Sequence, residues 1–165
     1  MNVFRLAATA LVLAIGGAAS AQSLEAANGS SAQIQMPPPE AMIILILASL
    51  VALSQANATN NYAVLSALGS PNFRSGNPPQ RLAQVFGSFR SNNVDLTPVV
   101  FVTPQLSQAP ALVNGRMRLV GHFPTRPMQI NYDLQFEPSG GVWKLFGLSV
   151  NLTRVQTAPA AAPGR

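Results

Sequence analysis

The chain predicts an α+β fold, with helices first and an antiparallel meander after them. Three observations carry this. Ala41 to Leu53 is an almost unbroken apolar run. Leu82, Ala83, Val85, Phe86 and Phe89 recur at three- and four-residue steps. Met128 to Phe136 alternates apolar with polar residues at every position. The expected architecture is one long, one short and one medium helix packed on a curved four-stranded sheet, cone-like in outline.

The first 21 residues read as a cleavable export signal. Arg5 supplies the positive start, Leu6 to Ile15 the apolar centre, and Ala19-Ser20-Ala21 the small-residue cleavage pattern. Cleavage after Ala21 is expected, which places the mature chain in a bacterial periplasm or outside the cell. Residues 22–38 are polar, rich in Ala, Ser and Gln, and end in prolines. They read as a disordered lead-in. One domain is expected over residues 39–155, followed by a disordered Ala/Pro tail at 156–165.

Within that domain, Pro39 and Glu40 suit the first turn of a helix. The 13 residues from Ala41 to Leu53, interrupted only by Ser49, continue it. They would rise only about 20 Å, short of a bilayer core, so no integral membrane segment is expected after signal cleavage. A helix apolar on nearly every side should be surrounded by other elements or by a second copy. Tyr62 to Leu68 reads as a short helix stopped by Gly69 and Pro71. A loop over Ser70 to Asn77 leads to a third helix, Gln80 to Asn92, with one apolar stripe.

The strands follow. Pro98 to Pro104 holds Val99, Val100, Phe101 and Val102 and reads as an edge strand flanked by prolines. Asn114-Gly115 signals a hairpin turn before Arg116. In Arg116 to Phe123, Met117, Leu119, Gly121 and Phe123 share one face; Arg116, Arg118, Val120 and His122 share the other. Tyr132 lies on the apolar face of the next strand and Asp133 on its polar face. Pro138 to Gly141 turns the chain into Val142 to Thr153. There Phe146, Leu148, Val150 and Leu152 are expected on one face, with Trp143 and Leu145 on the other. Gly121 and Gly147 are natural places for a bend or bulge.

Composition excludes several chemistries. There is no cysteine, so thiolate catalysis, thiolate metal sites and disulfides are absent. A single histidine, His122, excludes a multi-histidine metal centre, and no metal or cofactor is expected. Net charge is +5, and +4 once Arg5 leaves with the signal. The basic residues are scattered, so no nucleic-acid surface is expected.

At this point the chain resembles the nuclear transport factor 2-like superfamily of cone-shaped α+β domains. The resemblance rests on the long helix, the short helix around Asn61 to Leu65, the Ser70-Pro71-Asn72-Phe73-Arg74 segment, the third helix and the closing strand Trp143 to Val150. It is also similar to exported bacterial proteins of unassigned function that share segments like Phe123-Pro124-Thr125-Arg126-Pro127 and Trp143-Lys144-Leu145-Phe146-Gly147. The superfamily includes isomerases, dehydratases, binding modules and dimerisation domains, so the resemblance implies a fold and leaves the activity open. It also implies homodimer formation through the sheet.

An enzyme of this build would need an acid or base in an apolar pocket. The available groups are Asp95, Asp133 and His122, and none falls in a catalytic motif. Asp95 is expected to serve as a turn or cap residue and His122 to lie on the surface or an interface. The residues expected to line a ligand cavity are Tyr62, Phe73, Arg74 and Tyr132. Arg74 there could clamp an anion. The reading that best fits few titratable groups and a wholly apolar helix is a non-catalytic exported domain. It would bind a small apolar or weakly anionic ligand, or a protein partner. The alternative is an isomerase- or dehydratase-like enzyme.

Overall fold

A computed structural model describes residues 35–155. The expected signal, most of the lead-in and the Ala/Pro tail lie outside them. The order is helices and then an antiparallel sheet, as the sequence predicts.

Helix α1 (Pro39–Thr59) begins with Pro39 preset in its first turn and ends at Asn60 in a left-handed conformation, φ 54°. It is 21 residues long, not 13. The polar stretch after Leu53 stays helical because Ala56 continues the buried stripe of Met42, Ile46, Leu50 and Leu53. At about 31 Å this helix is long enough to cross a bilayer, so the length argument against a span fails. Its inner stripe instead joins the core of the sheet domain, with Leu50 and Leu53 fully buried. Nor do the described residues of the chain surround the helix. Ile44 is 65% exposed and Ala48 is exposed, so α1 keeps a bare apolar outer face.

Helix α2 spans Ala63–Leu68. The expected loop after it is a helix, α3 (Pro71–Gly76). Ser70 caps it, its hydroxyl accepting the Phe73 N–H at 3.1 Å, and Pro71 occupies the first turn. The expected third helix is broken into α4 (Pro79–Val85) and α5 (Gly87–Ser91) at Phe86. Gly87 is a weak helix former. The break lets the Phe86 ring stack on Tyr62 (centroids 6.3 Å apart) and meet Phe89 edge-on at 5.7 Å.

The strand expected at Pro98 to Pro104 does not form. Thr97–Val100 is a single 3-10 turn. Asp95 accepts the Thr97 N–H at 2.8 Å, and Pro98 has the φ of a helical turn and no N–H for a ladder. This local chemistry outweighs the β-propensity of the valines. Val99 is buried, while Phe101 is 83% exposed.

The sheet has β3 (Arg116–Phe123), β4 (Met128–Ser139) and β5 (Val142–Arg154) in meander order. Two short strands, β1 (Gln105–Leu106) and β2 (Ala111–Val113), both pair with β3. Asn114 and Gly115 (φ 51° and 73°) form the β2–β3 turn, and Gly140 and Gly141 (φ 61° and 79°) the β4–β5 turn. Pro138 and Ser139, expected in the latter turn, belong to β4.

The faces of β3 and β4 are as predicted. Met117, Leu119, Phe123, Ile130, Tyr132, Leu134 and Phe136 form the inner wall of the core. The sheet is not strongly curled. Its one irregularity with β5 lies where Gln135 pairs Gly147 but Phe136 pairs Leu145. Phe146 is the extra residue of this bulge. The expected faces of Leu145 and Phe146 are therefore exchanged. Leu145 is buried in the core, and Phe146 lies under the Arg116 guanidinium at 3.7 Å on the outer face.

Candidate functional site

Two concavities bear on function. The first is an apolar groove of about 340 Å³ beside the first two turns of α1. Pro39, Met42, Ile43 and Ile46 form one wall, and Pro104, Leu106 and Pro110 the other. Pro104 and Pro110 flank the two-residue strand β1 and have no N–H to donate to a ladder. Leu106 is 43% exposed at its rim.

The second is a polar notch of about 320 Å³ between the last turns of α1 and residues 89–97. Ser54, Asn57, Arg90, Asp95 and Thr97 line it, with Phe89 and Val94. A hydrogen-bonded chain runs beside it. Arg90 Nη1 donates to the Tyr62 hydroxyl at 2.6 Å, and that hydroxyl donates to Asn57 Oδ1 at 2.6 Å. A third hollow, of about 380 Å³, adjoins across Asn93, Val94 and Asp95 and reaches Arg126, Met128 and Ile130.

The four residues expected to line one ligand cavity serve different places. Tyr62 is buried, holding Arg90 and Asn57. Phe73 is buried in the core under α3. Arg74 is exposed in the last turn of α3. Tyr132 is buried, its hydroxyl donating to the Gln105 carbonyl at 3.2 Å. Burial pushes its ionisation up to about 12.

The Ser70-to-Arg74 segment therefore works as a clasp. Ser70 caps α3, and its N–H donates to the Leu145 carbonyl at 2.8 Å. Asn72 donates to Glu137 Oε1 at 2.9 Å, and Arg116 Nε lies 3.4 Å from the other Glu137 oxygen. Burial pushes the Glu137 carboxyl up, but hydrogen bonds from Ser70, Asn72 and Arg116 outweigh it and hold the group below its usual range.

The three candidate catalytic groups do not converge. Asp95 is exposed; hydrogen bonds from the Thr97 side chain and N–H hold its carboxyl below the usual range. That is opposite to the raised acid an isomerase-like site requires. Asp133 is on the outer sheet face, accepting from Arg118 Nε at 2.9 Å. His122 is on the same face, its Nδ1 3.4 Å from the Ser107 hydroxyl. Among the described residues no cluster of three His, Asp or Glu could hold a metal. Trp143 is part-buried against the core, and its indole N–H donates to the Gln35 carbonyl at 3.3 Å.

Sequence reasoning missed both concavities. The run of prolines at 104 and 110 was the signal for the groove. Nothing in the spacing of Asn57, Arg90 and Asp95 marks them as neighbours. The geometry defines an α+β domain with an apolar groove beside the start of α1 and a polar notch beside its end. No protein-family model, curated protein or solved structure matches the chain.

Proposed function

We propose that this chain is an exported, non-catalytic binding domain of nuclear transport factor 2-like build that takes a small apolar ligand in the groove beside α1. One observation carries this reading: seven residues, all apolar, enclose about 340 Å³ that opens to solvent. That volume lies within the range of small-molecule sites, and such sites are mainly apolar. The order of helices before an antiparallel sheet supports the superfamily assignment. A cone-like cavity there would be shallow, because the inner sheet face is already filled by Phe123, Tyr132 and Phe136. Export rests on the pattern of the first 21 residues.

The groove is favoured over the outer sheet face for binding because the polar groups on that face satisfy one another. Arg118 pairs with Asp133, and Asn131 donates to Asn151 and Thr153. The enzyme reading loses ground because Asp95, Asp133 and His122 share no cavity. The test is titration of the protein with the dye N-phenyl-1-naphthylamine. Fluorescence should rise saturably, and Leu106→Glu at the rim should weaken binding at least about tenfold with unchanged melting temperature. Equal binding by the variant, or none by the parent protein, would overturn the reading.

A further inference from the structure

We propose that two copies of this chain join through the outer edge of β5, antiparallel about a twofold axis at Val150, into one continuous sheet. Among the described residues the only strand that pairs with β5 is β4. Backbone bonds tell which residues of β5 face outward. The Leu145 carbonyl is turned away from β4, where it accepts the Ser70 N–H at 2.8 Å. Beyond the bulge, the Val155 N–H donates to the Pro127 carbonyl at 3.0 Å, on the β4 side. Counting back by twos puts Thr153, Asn151 and Ser149 towards β4. The N–H and C=O groups of Leu152, Val150 and Leu148 then point away from the sheet. They have no hydrogen-bond partner among the described residues.

The two edges of the sheet are built differently. The opposite edge consists of β1 and β2, two and three residues long, with Pro104 and Pro110 flanking β1. Short strands and prolines are ordinary devices that keep an edge from pairing with another chain. β5 runs for 13 residues, and from Leu145 to Thr153 it holds neither a proline nor a charged side chain. Its bulge at Phe146 lies at the end that Ser70 already covers.

The occupant is a second copy because this edge is complementary to itself. With Val150 on the axis, Leu148 stands opposite Leu152 of the second copy, and Leu152 opposite the second copy's Leu148. Both leucines are only half-buried and lie on the inner face, beside Leu134 and Ile130, so the pairing covers them. The outward groups of Leu148, Val150 and Leu152 meet the same groups of the second copy and bond to them. On the outer face Ser149 stands opposite Asn151 and Gly147 opposite Thr153, so no like charges meet. A twofold axis lets one patch serve both copies and closes the assembly at two. The edge shares no residue with the groove beside α1, so its test is independent of ligand binding there.

The test is sedimentation equilibrium of the mature chain with hydrogen exchange read by NMR. Between about 5 and about 500 µM the chain should pass from monomer to dimer. The backbone amides of Leu148, Val150 and Leu152 should exchange at least about tenfold more slowly at the higher concentration. Those of Ser149 and Asn151, bonded to β4 in either state, should be slow at both. Ser149→Lys combined with Asn151→Lys sets lysines opposite each other and should weaken the dimer at least about tenfold. Ser149→Lys combined with Asn151→Glu sets opposite charges there and should keep it. Both positions are exposed, and the exchange measurement needs neither variant. A chain still monomeric at about 500 µM would leave the edge to an extended segment of another protein and overturn the proposal. So would a dimer with fast exchange at Leu148, Val150 and Leu152, or one that both double variants hold equally.

Discussion

Gly121 and Tyr132 are cross-strand partners, and the Tyr132 phenol occupies the space a side chain at Gly121 would need. A Cβ at Gly121 would also collide with the Gln105 carbonyl, the acceptor of the Tyr132 hydroxyl. The glycine thus lets a buried tyrosine lie across β3 and reach β1. Gly121→Ala should destabilise by roughly 2–3 kcal/mol, since neither the carbonyl nor the packed ring can yield cheaply. Gly147→Ala, whose Cβ would meet Gln135 at 3.4 Å, should cost under about 1 kcal/mol. Urea titration of both variants checks the contrast.

Tyr132 also predicts an alkaline limit. Its folded ionisation lies near 12, above the ordinary 10.0, because burial disfavours the phenolate. The unfolded state therefore loses its proton first. The contribution is fully present below pH 10 and is lost as pH rises towards 12. Stability measured across that window should fall, and Tyr132→Phe should flatten the fall at a cost of about 1 kcal/mol for the Gln105 hydrogen bond.

Glu137 predicts the acid limit with the opposite sign. Its folded ionisation is depressed, so between its folded and unfolded values the unfolded state binds more protons. Its contribution is present above the ordinary carboxyl range, about pH 4.3, and is lost as pH falls through the folded value. Glu137→Gln should lower the urea midpoint at neutral pH and reduce its dependence on pH below about 5.

Tyr62→Phe should cost about 1–3 kcal/mol. It strands both an Arg90 N–H and Asn57 Oδ1 while keeping the ring stacked on Phe86. Thermal melts would measure this, and a neutral result would show that the chain of three groups is not holding α1 to α5.

The two faces of α1 should respond differently to charge. Leu50→Asp, fully buried, should prevent folding, because the cost of an unpaired buried charge rivals the whole stability of a domain. Ile44→Asp, 65% exposed, should change stability by no more than about 0.5 kcal/mol. Circular dichroism of both variants in detergent-free buffer decides between a core helix and a bilayer-embedded one. In the latter, Ile44→Asp would be the damaging change.

Much of the fold was legible residue by residue. The alternation of β3 and β4 placed Leu119, Tyr132 and Leu134 inside because strand period alone sets their faces. The proline signals located the starts of α1 and α4, whereas α3 had read as a loop. Illegible were the outcomes of competition. Asp95 and Pro98 turned a β-prone run into a 3-10 turn, and the β4–β5 bulge sent Phe146 outward and Leu145 inward. The candidate site was less legible. Tyr62, Phe73, Arg74 and Tyr132 were grouped by chemistry, and the fold distributes them to a hydrogen-bonded chain, the core, the surface and a strand crossing.

By itself the order of residues determined that helices precede an antiparallel sheet and which faces of β3 and β4 are apolar, because strand and helix periods act over a few neighbouring positions. Tertiary structure alone decided that Asn57, Arg90 and Asp95 line one notch, and that Pro104, Leu106 and Pro110 face the start of α1 across a groove. Those outcomes depend on how separate elements pack, and packing is settled by the combined volume and polarity of groups distant in the chain.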